Sequence, residues 1–484
     1  MEFNQKFNEK NEIEDSMSSY NEKVKSIFAE TSINKDLVRN AHARELPRYI
    51  YEWLLYKFTE NGELSPENKR KLFELIEKHY PDPEQVEYYK YLIIKDHQTL
   101  SILNKFEVSL NARTEEYDVY LPFFSGETKN IRIVESIVDQ YKGLLINGIW
   151  GIAQIINDPT HNRPFTINSF NPVQIEEVHL DQFIQARKAF TLSEWIDLLI
   201  NTMGLNPKKF PKLQEKIYLL TRLIPYVEKN FNLIEMGPKG TGKSFLHKNI
   251  STYVHVIGGG TISRAELIYH IGKHKKGLLL TNDVVVFDDF SNIQIKNANE
   301  VIGKLKNYMA DGLIDVGSFK ENSNAAIIIM GNVDLNEDGI PSNRFYFRSL
   351  PKTMQDSAFL DRISAFIPGW KLHPIRQEDL SVEYGLIGDW FSEILHSIRK
   401  KNFIYLVENM ITFTGPKTRA RDANYMKATA SGLIKLLFPD KILDLDDWDF
   451  IAKFSVELRQ RVMDQLGRID PEFQDTKITY EIVS

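Results

Sequence analysis

The feature that most limits the fold is the octapeptide Gly237-Pro-Lys-Gly-Thr-Gly-Lys-Ser244, entered from the largely apolar strand-like segment Leu233–Met236 and left through a helix-compatible segment. It matches the pattern G-x-x-x-x-G-K-[ST]. Glycines at these positions let main-chain N–H groups curl around phosphate oxygens, an approach that larger side chains would block. A strand before it and a helix after it put those oxygens at a helix N-terminus, where orphan N–H groups and the helix dipole favour anions. Gly237, Pro238, Lys239, Gly240, Thr241, Gly242, Lys243, Ser244 and the adjoining Phe245 are therefore candidate contacts to a nucleoside triphosphate such as ATP. Lys243 supplies a point charge for the β/γ-phosphates and Ser244 a hydroxyl ligand for Mg2+.

Further polar residues fall where a parallel sheet would gather them. Val284-Val-Val-Phe287 is a continuous apolar run ending in Asp288-Asp289, as expected of a buried central strand with carboxylates at its C-terminal edge. Asp288 is the candidate magnesium ligand, and Asp289 the candidate base that orients and deprotonates the attacking water. Ala325–Met330 repeats the pattern and ends at Gly331-Asn332, an amide placed to sense the terminal phosphate. Arg362 follows a short helix-like segment, where an arginine can reach into a neighbouring subunit's site and stabilise developing phosphoryl charge. Arg421 opens a later helical segment and is the candidate second sensor, with Arg419 competing for that role.

The rest of the chain frames this core. Residues 1–20 are polar with little periodicity and are expected to be a disordered tail. From 21 to 104 apolar residues recur at three- and four-residue spacing, as in a helical N-terminal domain. From 105 to 175 short alternating segments indicate a small β-barrel-like domain, with Gly143–Ile156 as one buried apolar stretch. Strands alternating with helices over 176–375 give an α/β core, and 376–484 read as a helical lid and C-terminal segment. With 42% apolar and 26% charged residues, the composition is that of an ordinary globular chain. The lack of cysteine rules out disulfides and thiol nucleophiles. The polar, acidic start is no signal peptide and the longest apolar stretch is too short to span a bilayer, so a cytoplasmic protein with no membrane partner is expected.

The order of these elements is that of AAA+ ATPases. More specifically, the chain resembles the Lon-like AAA+ (BrxL) family of bacteriophage-exclusion (BREX) defence systems. The resemblance is carried by Asn147-Gly-Ile-Trp150, by Ala186–Asp197, by Leu223–Asn232 and by Gly258-Gly-Gly-Thr261. It continues in Tyr308–Gly312, Asp356–Arg362, Ile367-Pro-Gly-Trp370 and Ser431–Leu437. It implies an AAA+ P-loop NTPase core similar to that of MCM helicases, and a homo-oligomeric ring, hexameric or heptameric, with stacked rings as a variant. It further implies duplex DNA in a central pore, other defence-system proteins as partners, and a role against phage. The family's likeness to Lon lies mainly in a further C-terminal domain. This sequence reaches Ser484 about where that domain would begin, and no Ser-Lys dyad in a suitable setting can be pointed to, so ATPase rather than protease activity is expected. Asp289 stands where these ATPases usually carry Glu.

Residues 309–324 read as a hairpin turning at Gly317-Ser318, in the position of an MCM-like pore hairpin, with Lys320 as a candidate phosphate contact. Lys273, Lys275 and Lys276 form a second basic candidate. The net charge of −6 excludes a protein that coats nucleic acid over its whole surface but allows a local basic channel. Lys35, Arg39, Arg44 and Arg48 do not share a helical face, so DNA binding there rests on the resemblance alone. Two other classes fit the same core: a protein-remodelling, unfoldase-like ATPase, and a nucleotide-gated assembly switch with slow hydrolysis.

Overall fold

The computed structural model describes residues 17–39, 46–60, 62–111, 114–121, 124, 131–161, 163–175 and 178–483. Residues 1–16 of the expected disordered tail, and Arg44, lie outside the described residues. The remaining four residues of that tail are not disordered: they open the helix Met17–Ile27. The chain forms two compact units, one made of Leu37–Glu177 with Ile387–Trp390, the other of the remaining described residues.

The first unit begins with helices α1 (Arg48–Phe58), α2 (Pro66–His79) and α3 (Val86–Ile94). Pro66 opens α2 behind Ser65, whose hydroxyl accepts the Asn68 N–H at 3.1 Å, so one orphan donor of the first turn is satisfied. Five strands follow: β1 (Leu100–Asn111), β2 (Glu116–Tyr120), β3 (Ile131–Ile133), β4 (Ile149–Asn157) and β5 (Phe165–Pro172). They close into a barrel in the order β1-β2-β3-β5-β4. Phe106, Val119, Ile131, Ala153, Ile155 and Ile167 fill its interior. Closure leaves no unpaired sheet edge.

Two expectations are corrected here. The first barrel strand starts at Leu100, inside the segment read as helical to 104. Gly143–Ile156 is not one stretch: a short helical turn, Lys142–Leu145, precedes β4, and the break is at Gly148 with φ +74°. A Cβ at Gly148 would stand 2.5 Å from Glu107 Cγ and 2.8 Å from the Phe106 carbonyl oxygen. Only glycine fits that turn.

The second unit carries α4 (Leu192–Thr202), started by a Thr191/Glu194 capping box, and α5 (Leu213–Thr221). Fully buried Trp195 donates its indole N–H to the Leu436 carbonyl at 2.8 Å. Next come β6 (Asn232–Gly237), α6 (Lys243–Asn249), β7 (Val254–Ile257) and β8 (Val284–Phe287). They are followed by α7 (Ala298–Asp311), β9 (Leu313–Val316), β10 (Phe319–Asn322), β11 (Ala326–Asn332) and β12 (Ala365–Pro368). Helices α8 (Gly388–Arg399, its residues from Phe391 onward in this unit), α9 (Ala420–Leu437) and α10 (Leu445–Leu466) complete the series.

Strands β12-β6-β11-β8-β7 form a five-stranded sheet, parallel throughout. All four residues of β8 are buried, which is why its sequence is an unbroken apolar run. Edge strand β12 was not legible beforehand: it has four residues, and its proline is tolerated because it lies on the outermost strand. Short strand Ser32–Asn34 pairs with Tyr384–Leu386, which ties the segment just after the first helix to this unit rather than to the helices that follow it. Lys35 is fully buried there and donates to the Leu386 carbonyl at 2.7 Å.

The hairpin β9–β10 turns at Gly317-Ser318, with Val316 opposite Phe319. A smaller hairpin pairs Tyr269–His270 with Lys275–Lys276. The two are joined by a Tyr269–Phe319 ring stack, 3.8 Å between centroids and 7° from parallel, and by a 2.6 Å Lys276–Glu321 ion pair.

Candidate functional site

At the C-terminal ends of β6, β8 and β11 a cavity of about 710 Å³ opens. Carboxyl ends of parallel strands are where open sheets of this kind bind ligands. The loop from Gly237 to Gly242 leaves β6 here and passes directly into α6. Gly240 and Gly242 have φ of +87° and +75°. A Cβ at Gly237 would stand 2.7 Å from the Gly369 backbone, and one at Gly242 would overlap Ile375 Cδ1. Gly240 is thus required by torsion, Gly237 by space and Gly242 by both.

Of the candidate contacts, Lys239, Gly240, Thr241, Gly242, Lys243, Ser244 and Phe245 line the cavity, while Gly237 and Pro238 form the root of the loop. Lys243 is buried and its Nζ donates to the carbonyls of Gly237 (3.1 Å) and Pro238 (2.8 Å). Burial holds its ammonium below the ordinary lysine range; Arg222 adds to this, while Glu235, Asp288 and Asp289 oppose it. One helix turn holds both this lysine and Ser244, whose hydroxyl donates to Asp288 Oδ1 at 2.7 Å. Two hard oxygen ligands side by side fit the coordination that Mg2+ prefers, in which water and phosphate complete the shell.

Asp289 and Asn332 line the same cavity. Asp289 has φ +51°, and its two carboxylate oxygens accept from Ser291 Oγ (2.7 Å) and Asn292 Nδ2 (2.8 Å). Asn332 ends β11 in register with Gly237. The sheet therefore brings together residues almost a hundred positions apart.

The candidate arginines are not among the residues lining this cavity. Arg421 is paired with Asp361. Arg419 pairs with Glu472 at 2.7 Å and lies 4.2 Å over the Phe473 ring. Arg362 donates Nη1 to the Ala358 carbonyl, and its buried Nε has no hydrogen-bond partner. Arg376 is the arginine that lines the cavity. Nothing in the sequence marked it, nor its neighbours Ile375, Gln377 and Leu380. They reach the site because the Ile375 N–H donates to the Gly240 carbonyl (2.8 Å) and because Leu380 bridges Leu205.

The basic candidates stand elsewhere. Lys320 pairs with Asp315 at 2.9 Å and Lys276 with Glu321, all four side chains substantially exposed. Lys275 lies beside Lys276 in the small hairpin, and Lys273 ends the preceding helical turn, its side chain outside the described residues. Among the described residues no cluster of three or more His, Asp or Glu could hold a metal, and no helix is long and apolar enough to cross a membrane.

The loop, the Ser244–Asp288 contact and Asn332 all fall within residues 165–479, which match the family described as "Lon-like protease BrxL-like, ATPase domain". The chain belongs to the BrxL family. Residues 26–156 match a second description, "BREX system Lon protease-like protein BrxL N-terminal". The chain is 31% identical to the "Lon-like protease BrxL" of Bacillus cereus (strain H3081.97) over 474 residues, covering 96% of this chain and 69% of that protein. It is 29% identical to the "Lon-like protease BrxL" of Escherichia coli O9:H4 (strain HS) over 460 residues, covering 94% of this chain and 65% of that one. It thus spans about two thirds of the length of these BrxL relatives. The cavity lies within the match to the BrxL ATPase domain. Barrel strands β1 to β3 and all but the last residue of β4 lie within the N-terminal match, whereas β5 falls in the ATPase-domain match.

Proposed function

We propose that this chain is an AAA+ ATPase that hydrolyses ATP with Mg2+, works as a homo-oligomeric ring of six or seven subunits, and holds duplex DNA in its central channel during BREX-type defence against phage. The observation that supports the reading best is the Ser244–Asp288 contact beside the glycine loop, since the loop residues and these two hard oxygen groups line one cavity. Lys243, released from its loop carbonyls, would hold the β/γ-phosphates. Bound Mg2+ supplies charge neutralisation at those phosphates. Asp289 and Asn332 would position the attacking water. Arg362, outside the cavity of its own chain and with a buried N–H to spare, would complete the neighbouring subunit's site. Helices α9 and α10 would serve as the lid. Hairpin β9–β10 would face the DNA.

The test is the ATPase rate measured alone and with duplex DNA, single-stranded DNA or an unfolded polypeptide. Stimulation by duplex DNA is expected; stimulation by polypeptide alone would replace this reading with the unfoldase one. A second reading, the nucleotide-gated assembly switch, is favoured by one observation. Each Asp289 oxygen already accepts a hydrogen bond, which ties the carboxylate to Ser291 and Asn292, and its side chain is a methylene shorter than Glu, so it reaches less far toward an attacking water. A slow rate indifferent to every polymer, with ATP-dependent assembly, would support the switch.

A further inference from the structure

Beneath the glycine loop lies an ion pair sealed from solvent. Arg222, just after α5, and Glu235, within β6, both have 0% side-chain exposure. The guanidinium grips the carboxylate with two bonds, Nε to Oε2 at 2.9 Å and Nη2 to Oε1 at 2.7 Å. The same Nη2 also donates to the Thr241 carbonyl at 3.1 Å, and the other terminal nitrogen, Nη1, is buried with no partner.

Placing two charges in a core is costly, and a pair of apolar side chains of similar volume often serves stability as well or better. Stability alone is therefore a weak reason for this pair. The Thr241 contact supplies a stronger one. In a trans peptide the carbonyl and the N–H that follows it point in opposite directions. A donor that holds the Thr241 oxygen inward, toward the core, turns the Gly242 N–H outward, toward the cavity. Likewise the Ile375 N–H holds the Gly240 oxygen and turns the Thr241 N–H. Gly242, at φ +75°, has no side chain to resist a flip of that peptide, so the orientation has to be imposed from outside.

We infer that Arg222 is a positioning residue for the phosphate loop: held by Glu235, it fixes the peptide between Thr241 and Gly242 so that the Gly242 amide faces the phosphate before nucleotide arrives. This rests on the reading of residues 237–244 as a phosphate site. It predicts that loop preorganisation and fold stability can be separated. Lysine has one compact charge and no fork, so it can satisfy Glu235 but cannot hold the carboxylate and the Thr241 oxygen in the same fixed geometry.

The experiment compares Mg-ATP affinity by calorimetry, and thermal melting without nucleotide, for the parent chain, Arg222→Lys, and the double variant Arg222→Met/Glu235→Met. The double variant is expected to melt near the parent, because no buried charge is left unpaired, yet to bind Mg-ATP at least about tenfold more weakly. Arg222→Lys is expected to fold and to bind at least about fivefold more weakly. Should the double variant fail to fold, Arg222→Lys carries the test alone. Parent-like affinity in any folded variant lacking the arginine overturns the inference. A parent chain that does not bind Mg-ATP overturns the proposed function instead, and the two failures are read from different samples.

Discussion

The Ser244 hydroxyl donates to Asp288 Oδ1 across 2.7 Å, joining the first turn of α6 to the tip of β8 although 44 positions separate the two residues. A carboxylate held this way keeps its geometry if it is replaced by an amide but loses the charge that a divalent cation needs. Asp288→Asn is therefore expected to fold normally and to lose the dependence of nucleotide affinity on Mg2+, about 1.4 to 3 kcal/mol or some ten- to a hundredfold. Calorimetry with ATP in the presence and absence of Mg2+ checks this. Unchanged magnesium dependence would remove Asp288 from the metal site.

His247, on α6, makes the acid stability of this helix predictable. It is fully buried, and its Nδ1 shares a hydrogen bond with the Tyr226 hydroxyl at 2.8 Å. Burial, with the Arg222 charge adding to it, pushes its pKa from 6.5 to about 3. The folded pKa lies below the unfolded one, so between these values the unfolded chain binds the extra proton. Stability from this site is complete above pH 6.5 and is lost as pH falls toward 3. The loss should reach about 2 kcal/mol by about pH 5. His247→Gln keeps an acceptor for Tyr226 and cannot charge, so urea titrations near neutral and acid pH should show a correspondingly shallower decline.

Arg459 anchors the segment that carries Arg362. Fully buried on α10, it bonds Asp422 (2.6 Å), Asp361 Oδ1 (2.9 Å) and the Ile363 carbonyl. Arg459→Ala leaves two buried carboxylates short of a partner and should cost about 3–5 kcal/mol in urea unfolding. Arg362→Ala should leave stability nearly unchanged and abolish ATPase activity in pure form. Mixed with Lys243→Ala subunits it should regain part of that activity, since each variant supplies what the other lacks. No recovery at any ratio would confine Arg362 to its own chain.

Lys320 and Asp315 give predictions of opposite sign. Their pair is exposed and worth about 0–1 kcal/mol, so a polyanion can draw the lysine away at little cost. Lys320→Ala should weaken DNA binding and reduce the salt slope by about one. Asp315→Asn should tighten binding. DNA titrations at several salt concentrations measure both, and two variants indistinguishable from the parent would take this hairpin out of the DNA contact.

Much was legible before any coordinates, because the signals were local. Val284–Phe287 and Ala325–Met330 are apolar runs of the kind that parallel strands buried on both faces require; Leu233–Met236 is interrupted by Glu235 and Val254–Ile257 by the exposed His255, yet each of the four lies within a strand or one residue from it. The turn at Gly317-Ser318 needed only its glycine. Strand β12 was missed because four residues ending in proline carry no period, and the break at Gly148 because a close approach from Glu107 leaves no trace around the glycine. The sequence also singled out Arg419 and Arg421, while the fold brought Arg376 to the cavity.

By itself, then, the sequence determined the glycine loop, the acidic strand end and the sequence of elements that frames them, since each depends on neighbours within a few residues. Only the tertiary structure decided that Ser244 meets Asp288, that Asn332 stands level with Gly237, and that Arg222, held by Glu235, reaches the Thr241 carbonyl. Those meetings follow from strand order and burial. Hydrogen bonds between distant residues depend on where the sheet places its edges, and no local pattern encodes that.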